Sequence, residues 1–196
     1  SGWGGVTGGG LPLDAWVCVT RASHFSAAEL GMLSRVCRVW REVLAESVDL
    51  WLYVDFAPYQ HKVSDEVLER VLTAGRVSSL RTLDLSNCIY LSGTAVSNVL
   101  SRSGCRLELG SIDLSRCFGV DDDVLMRVAE LCPHLTCLLL NNLPSISDKG
   151  VLGIVRRAQQ LKMIEANDTP LSDPFRDAIE YGDFRVLLLD GYGVPP

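Results

Sequence analysis

The sequence predicts an α/β fold in which short parallel strands alternate with helices, and three observations lead to this prediction. An apolar pattern recurs along the chain, with apolar residues at its first, fourth and sixth positions and, in two of six copies, a cysteine at its ninth. Successive copies start 29, 29, 26, 26 and 23 residues apart. Between the copies, capping residues precede apolar residues spaced three and four apart, as in amphipathic helices. A fixed period of this length is typical of stacked strand–helix repeats.

The clearest copy of the pattern has Leu109, Ile112, Leu114 and Cys117 at its four positions, which we call the apolar frame. Five other segments fit the same frame. They are Trp51/Val54/Phe56/Tyr59, Leu80/Leu83/Leu85/Cys88, Leu135/Leu138/Leu140/Leu143, Leu161/Ile164/Ala166/Thr169 and Phe184/Leu187/Leu189/Tyr192. This is the leucine-rich-repeat pattern. It predicts a right-handed solenoid with six parallel strands on the concave side and helices on the convex side.

Each segment between two copies carries the signals of a helix. Ser64, Asp121, Ser147 and Ser172 stand where an N-cap is expected, and acidic residues follow in the first turn, where the helix dipole favours negative charge. Gly182 is expected to end the last helix. We interpret the acidic run 121–123 as helix capping. It lacks the alternating oxygen ligands and the distal glutamate of a calcium loop.

The N-terminal part of the chain differs from the repeats. Residues 1–10 are glycine-rich, and they have neither the basic cluster nor the apolar stretch of a secretory signal. A short helix is expected from Leu11, and the capping box Ser26–Glu29 opens a longer helix with apolar residues spaced three and four apart up to Leu44. We therefore divide the chain into a leader (1–10), a helical motif (11–50), a solenoid (51–192) and a tail (193–196).

Composition limits the possible partners. The chain has 196 residues, 47% of them hydrophobic, which is sufficient for a large buried core. Its net charge of -6 argues against nucleic acid or an anionic membrane as the main partner. No apolar run approaches the roughly 20 residues that span a bilayer, so membrane insertion is not expected.

The sequence gives no sign of an enzyme, a metal site or a cofactor. None of the seven cysteines forms a Cys-x-x-Cys pair, and no phosphate-binding loop or nucleophile motif is present. Cys88 and Cys117 occupy the same frame position, where we expect buried free thiols in a reducing compartment. This favours a cytoplasmic or nuclear location.

Particular residues resemble a known family. Leu11-Pro12, the core Val36-Cys37-Arg38-Val39-Trp40 and the closing Leu50-Trp51 resemble the F-box. The segment from Cys117 to Leu135 resembles the cysteine-containing subtype of leucine-rich repeat. Together the two resemblances cover about residues 11–192. The chain is therefore similar to F-box/leucine-rich-repeat proteins, a family of substrate receptors in SCF-type ubiquitin ligases.

The resemblance implies two binding surfaces and no catalytic residue. The F-box would bind a Skp-type adaptor that joins the cullin scaffold, through Leu11, Pro12, Phe25, Leu30 and Val36. The concave face of the solenoid would bind a protein substrate. The strand residues that we select on that face are Asp55, Asp84, Asp113, Cys137, Leu139, Met163, Glu165, Val186 and Leu188. Their chemistry favours a partner with an apolar anchor and basic flanks.

A second interpretation stays open. The stretch Arg21–His24 is about two residues longer than the family pattern, and the repeat array is short. In this interpretation the chain is a structural subunit of a larger assembly, in an organelle such as the mitochondrion. Its F-box no longer binds an adaptor.

Overall fold

The computed structural model describes residues 51–189, which form a mixed α/β structure built on one parallel sheet. Its five strands are β1 (Tyr53–Asp55), β2 (Thr82–Asp84), β3 (Ser111–Asp113), β4 (Cys137–Leu139) and β5 (Met163–Glu165). Its helices are α1 (Asp65–Val71), α2 (Ala74–Ser79), α3 (Gly93–Ser101), α4 (Asp122–Leu131), α5 (Asp148–Arg157), α6 (Asp173–Tyr181) and α7 (Val186–Leu189), and a 3₁₀ segment spans Ala57–Lys62. Within this range no helix is long and apolar enough to cross a bilayer.

The strands follow one another across the sheet in sequence order, and every neighbouring pair is parallel. The central residues of consecutive strands are register partners. They are Val54, Leu83, Ile112, Leu138 and Ile164, the fourth position of the apolar frame in each copy. The order and the register are those that the repeat pattern predicts, and they are consistent with a leucine-rich-repeat arrangement.

The apolar frame forms the core. In the third copy Leu109, Ile112, Leu114 and Cys117 are all completely buried. The helices add their own apolar face to this core, and α4 contributes Val124, Leu125, Val128 and Ala129. Burial of this kind stabilises by roughly 1.5–3 kcal/mol for each large aliphatic side chain, and each repeat depends on its neighbour for it.

A residue in the left-handed region directs the chain into the core at the end of each frame copy from the second to the fifth. These residues are Asn87, Arg116, Asn142 and Asp168, with φ between 55° and 60°. Each directly precedes the buried ninth frame residue. Asn and Asp tolerate this conformation better than other side chains do, so three of the four positions carry a suitable residue.

The sixth copy of the pattern does not form a strand, so this prediction was wrong. Residues Val186–Leu189 form the short helix α7, which packs on α5 and α6. Phe184, just before α7, and Leu187 within it are both buried, so the apolar residues of the sixth copy still contribute to the core. The last interval is also the shortest, 23 residues, which leaves less chain to return to the sheet.

Two of the residues predicted for the concave face do not lie on the sheet. Val186 and Leu188 are exposed, but they lie on α7 and not in the strand columns of the sheet. The predicted apolar half of that surface therefore ends at β5. The division of the chain at residues 50 and 192 falls outside the described residues and stays a prediction.

Glycines allow two successive repeats to approach closely. Ser92 and Gly119 form an isolated parallel bridge just before α3 and α4. A Cβ atom on Gly93 would lie 2.4 Å from the carbonyl oxygen of Gly119, and one on Gly119 would lie 2.4 Å from that of Leu91. Because both obstacles are backbone atoms, neither position accommodates a larger residue without displacing a repeat.

Aspartates at the start of a helix connect successive repeats. Asp65, the first residue of α1, accepts hydrogen bonds from the backbone N–H of Ser92 at 2.9 Å and from its hydroxyl at 2.7 Å. Ser92 is in turn the N-cap of α3. The equivalent contacts join Asp122 to Ser147 and Asp148 to Ser172. Each of these carboxylates thus lies near the N-termini of two helices, where the dipoles favour negative charge.

Trp51 closes the N-terminal end of the described residues. Its ring is buried, and the guanidinium carbon of Arg76 lies 3.8 Å from the ring centroid. Arg76 also donates to the carbonyl oxygen of Val71 at 2.7 Å. Burial lowers the pKa of Arg76. The contact is a cation–π interaction that fixes α2 against the first repeat.

Replacing Asp122 by alanine is expected to lower the free energy of unfolding by about 1–2 kcal/mol, because charge-assisted hydrogen bonds to the next repeat are lost. Urea denaturation measures this change. The matched control is Asp123→Ala, which removes the same charge from the same helical turn but no bond to Ser147. Equal losses in the two variants would contradict the proposed role of the inter-repeat bond.

Candidate functional site

Two columns of side chains lie on the face of the sheet opposite the core, which we call the open face. Each strand contributes one residue to each column, on either side of its buried central residue. The first column is Tyr53, Thr82, Ser111, Cys137 and Met163, and the second is Asp55, Asp84, Asp113, Leu139 and Glu165. Adjacent strands are about 4.8 Å apart. The sequence predicted these five members of each column, whereas the sixth members that it predicted, Val186 and Leu188, lie on α7. The role of the column residues in binding stays a prediction.

The first half of the second column is acidic, and its carboxylates are held in place by the backbone. Asp55, Asp84 and Asp113 each accept a hydrogen bond, 2.8 Å long, from the backbone N–H two residues further on. This is the Asx-turn, in which an aspartate satisfies the chain as it leaves a strand. The aspartates therefore have a structural role as well as a charge to present to a partner.

The environment of Asp113 changes its pKa. Its partial burial raises its pKa, and the neighbouring carboxylates of Asp84 and Glu165 raise the pKa further, whereas the hydrogen bonds from Ser115 act in the opposite direction. The net pKa is above the ordinary value. The centre of the open face is thus a place where negative charge is unfavourable and where a cationic partner group would relieve it.

The second half of the open face is apolar with a polar border. Cys137 and Leu139 are half-buried, and Met163 is 42% exposed. Beside them, Asn141 donates from its side chain to Glu165 at 3.3 Å, and its side-chain oxygen accepts the backbone N–H of Asn167 at 2.8 Å. This amide network orients Glu165, and the sequence pattern did not predict it.

One exposed aromatic residue was placed in a column but not selected as a binding residue. Tyr53 begins the first column on the edge strand β1 and is 69% exposed. Tyrosine is enriched in protein interfaces because its ring offers contact area and its hydroxyl a hydrogen bond. The signal available in the sequence was an aromatic side chain at an outward-facing strand position.

Three of the five cysteines among the described residues, Cys88, Cys117 and Cys132, are protected thiols, whereas Cys105 is exposed and Cys137 is half-buried. Burial raises the pKa of Cys88, Cys117 and Cys132 to about 12. The thiol of Cys117 donates to the carbonyl oxygen of Leu85 at 2.9 Å. A thiol with so high a pKa is not a nucleophile at neutral pH, as the sequence analysis expected for Cys88 and Cys117.

Residues 51–189 contain no cluster of histidine, cysteine, aspartate and glutamate side chains that could hold a metal ion. His134 is exposed, 3.7 Å from a carboxylate oxygen of Glu108 and 3.3 Å from the side-chain nitrogen of Gln160. Cys132, two residues earlier, is completely buried. The arrangement of His134 is that of a surface turn residue.

The predicted adaptor-binding residues are in a different part of the chain. Leu11, Pro12, Phe25, Leu30 and Val36 lie outside the described residues, so their role stays a prediction.

Comparison with known proteins supports the resemblance noted from the sequence. The chain is 34% identical over 109 residues to F-box/LRR-repeat protein 12 of Arabidopsis thaliana, a match that covers 56% of this chain and 26% of the relative. It is 26% identical over 165 residues to the SCF E3 ubiquitin ligase complex F-box protein pof2 of Schizosaccharomyces pombe, covering 71% of this chain and 35% of that protein. No family model matches the chain.

These two matches confirm that the chain resembles F-box/leucine-rich-repeat proteins. The matched part is about a quarter to a third of the length of either relative. The similarity therefore concerns a part of each relative rather than a whole protein.

Replacing Asp113 by asparagine is expected to increase the free energy of unfolding at pH 7. A carboxyl group whose pKa is higher in the folded chain than in the unfolded chain destabilises the fold once both states are ionised. Asparagine keeps the acceptor for the N–H of Ser115 without the charge. The expected gain is roughly 0.5 kcal/mol, since the group is partly exposed and solvent screens it.

The gain in the Asp113→Asn variant should shrink as the pH falls through the raised pKa of the folded state, and it should disappear below the ordinary aspartate value of about 3.9, where the carboxyl is protonated in both states. Urea denaturation at several pH values measures it. Asp55→Asn, at the exposed end of the same column, serves as control. A stability difference that does not depend on pH would contradict the assignment to charge.

Proposed function

We propose that this chain is a substrate-recognition adaptor of an SCF-type ubiquitin ligase. In this proposal residues 11–50 form a helical F-box that binds a Skp-type adaptor and, through it, a cullin scaffold. The repeats form a right-handed leucine-rich-repeat solenoid whose open face is concave and binds a protein substrate. The chain supplies no catalytic group and acts by holding the substrate near the ubiquitin-transferring enzyme.

The observation that carries the proposal is the similarity to two F-box proteins, one of which is named as part of an SCF E3 ubiquitin ligase complex. The sequence adds a second line of support. The F-box-like residues between Leu11 and Trp51 directly precede the first strand of the repeats. This order agrees with the proposed arrangement, in which an adaptor-binding motif precedes a substrate-binding surface.

The F-box-like motif has more apolar positions than it can bury alone. A helical segment of about 40 residues is too small for a self-sufficient core. We propose that Leu11, Pro12, Phe25, Leu30 and Val36 are covered by the adaptor. Trp51 is buried and lies against Arg76 of α2, so we propose that it takes part in the packing of the repeats.

The side chains of the open face favour a substrate that has both apolar and basic groups. Its acidic half contains Asp84 and Asp113, whose crowding favours a cationic group, and its second half offers Leu139 and Met163 as apolar contacts. Exposed apolar side chains grouped beside polar residues are typical of interaction sites. We propose that the substrate carries an apolar anchor flanked by basic residues.

We also propose a cytoplasmic or nuclear location. Cys88, Cys117 and Cys132 are buried and form no disulfide. Free thiols in the core suit a compartment that keeps cysteines reduced.

The adaptor-binding proposal is tested with the full chain and a purified Skp-type adaptor by isothermal titration calorimetry. We expect stoichiometric binding, which Val36→Asp weakens at least about 30-fold because a charge enters an apolar contact. Arg41→Asp, on the opposite face of the same expected helix, is the matched control and should change the affinity less than about threefold. Absence of binding by the unsubstituted chain would overturn the proposal. Copurification with a ribosomal or respiratory complex without adaptor would favour a structural subunit instead.

The substrate-binding proposal is tested by quantitative comparison of proteins that copurify with the unsubstituted chain and with Leu139→Asp. At least one protein should be reduced about tenfold or more by the substitution, because a charge replaces an apolar contact. Adaptor binding and the unfolding temperature should be unchanged. Arg127→Asp is the control, because Arg127 is exposed on α4 and does not belong to the sheet. If both variants retain every partner, the open face is not the substrate site.

A further inference from the structure

The last strand of the sheet has an unused edge. In each earlier pair of strands, the residue after a strand donates its backbone N–H to the next strand. The bonds run from Phe56 to Asp84, from Leu85 to Asp113, from Leu114 to Leu139 and from Leu140 to Glu165, at 2.7–3.0 Å. The equivalent donor after β5 is the N–H of Ala166, which has no acceptor among residues 51–189.

Two further backbone groups complete this edge. The N–H groups of Asn87, Arg116 and Asn142 each donate to the next repeat, and in the repeat of β5 the equivalent donor is the N–H of Asp168. The carbonyl oxygen of Thr136 accepts two N–H groups from the next repeat, and in the repeat of β5 the equivalent acceptor is the carbonyl oxygen of Lys162. Neither group has a hydrogen-bond partner in the described part of the chain. The backbone groups of Lys162, Ala166 and Asp168 are therefore available in the register that each earlier strand uses.

An open groove lies along this edge because α7 replaces a sixth strand. It has a volume of about 760 Å³ and is lined by the chain from Ile164 to Thr169 and by Arg176, Ile179 and Glu180 of α6. Ile164 is buried and Ile179 is half-buried, so part of the floor of the groove is apolar, whereas most of the lining is polar. An exposed strand edge of this kind is a template for another extended chain.

The charges around the groove specify what can enter it. Between Met163 and Asp183 the sequence has six carboxylates and one cation, Arg176. Asp168 and Glu180 are exposed at the groove, and Arg176 lies 3.3 Å from Asp173, which offsets its charge. Lys162 and Arg185 stand at the two ends of this acidic span. An acidic groove attracts a basic segment and repels an acidic one.

We propose that this edge binds an extended, basic segment of a partner protein, which adds to β5 as a sixth parallel strand. Its backbone would pair with Ala166, Asp168 and Lys162, and alternate side chains would occupy the apolar part of the floor and face the carboxylates. Such strand addition obtains affinity from main-chain hydrogen bonds and specificity from alternate side chains. The inference rests on the sheet edge and its charges, and it is independent of adaptor binding.

The test uses the full chain and a fluorescein-labelled seven-residue peptide of alternating lysine and valine. We expect it to bind, and a peptide with glutamate in place of lysine to bind at least tenfold more weakly. Two further peptides carry N-methyl groups on the valines only or on the lysines only. In a β-strand the amides of alternate residues face opposite sides, so one isomer should lose at least tenfold in affinity and the other should not. Equal affinity of the two isomers, or equal binding of the acidic peptide, would overturn the proposal.

Variants of the chain locate the site. Ala166→Pro removes an edge donor that makes no bond within the described residues, and it should weaken binding at least fivefold. Glu180→Arg should weaken it at least threefold, whereas Glu130→Arg, an exposed glutamate on α4, should not. Circular dichroism checks that each variant is folded. Unchanged binding by both Ala166→Pro and Glu180→Arg would refute the location.

Hydrogen exchange reports on the edge directly. In the free chain the amides of Ala166 and Asp168 should exchange rapidly, and the lysine–valine peptide should slow them at least tenfold, whereas the amide of Leu140, already paired with β5, should change little. Slow exchange of both edge amides in the free chain would mean that the chain covers its own edge, and the proposal would be wrong.

Discussion

The register of five buried side chains determines the rest of this structure. Val54, Leu83, Ile112, Leu138 and Ile164 pack one beside the next, and each is at most 3% exposed. Because side chains alternate along a strand, burying these residues places both of their neighbours on the open face. A shift of one residue in any strand would exchange core and surface in that repeat. The identity of the open face is therefore a consequence of the core.

The spacing between repeats is set by contacts of another kind. The helices are joined by carboxylates that bond to the N-cap of the following helix, as Asp122 does with Ser147. At the junction between α3 and α4, the N-cap of the second helix is itself acidic, Asp121. The first residue of α3 is there Gly93 instead of an aspartate, and the two backbones approach closely at Gly93 and Gly119. A second carboxylate at this place would face Asp121 and repel it. Each junction thus uses either a charged bond or a close backbone contact.

The sequence was sufficient to predict the strands, their order and the composition of both columns, because a strict apolar frame leaves one register. It failed at the sixth copy, where Val186–Leu189 form a helix although the apolar spacing is the same as in the copies that form strands, so the pattern alone does not distinguish the two. It did not predict the network of Asn141, Glu165 and Asn167, nor the bonds of Asp65 and Asp122. These contacts join residues 24–27 positions apart, and their geometry depends on how the repeats stack.

The buried thiols are protected only after the chain has folded. Cys88 and Cys117 are inert because the folded repeats desolvate them, and desolvation is the first cause of their raised pKa. In the nascent chain this protection is absent, and each thiol has the ordinary reactivity of an exposed cysteine. Synthesis and assembly of the repeats are thus the period in which oxidation can trap the chain. Stacking of neighbouring repeats ends this period, because it buries both thiols.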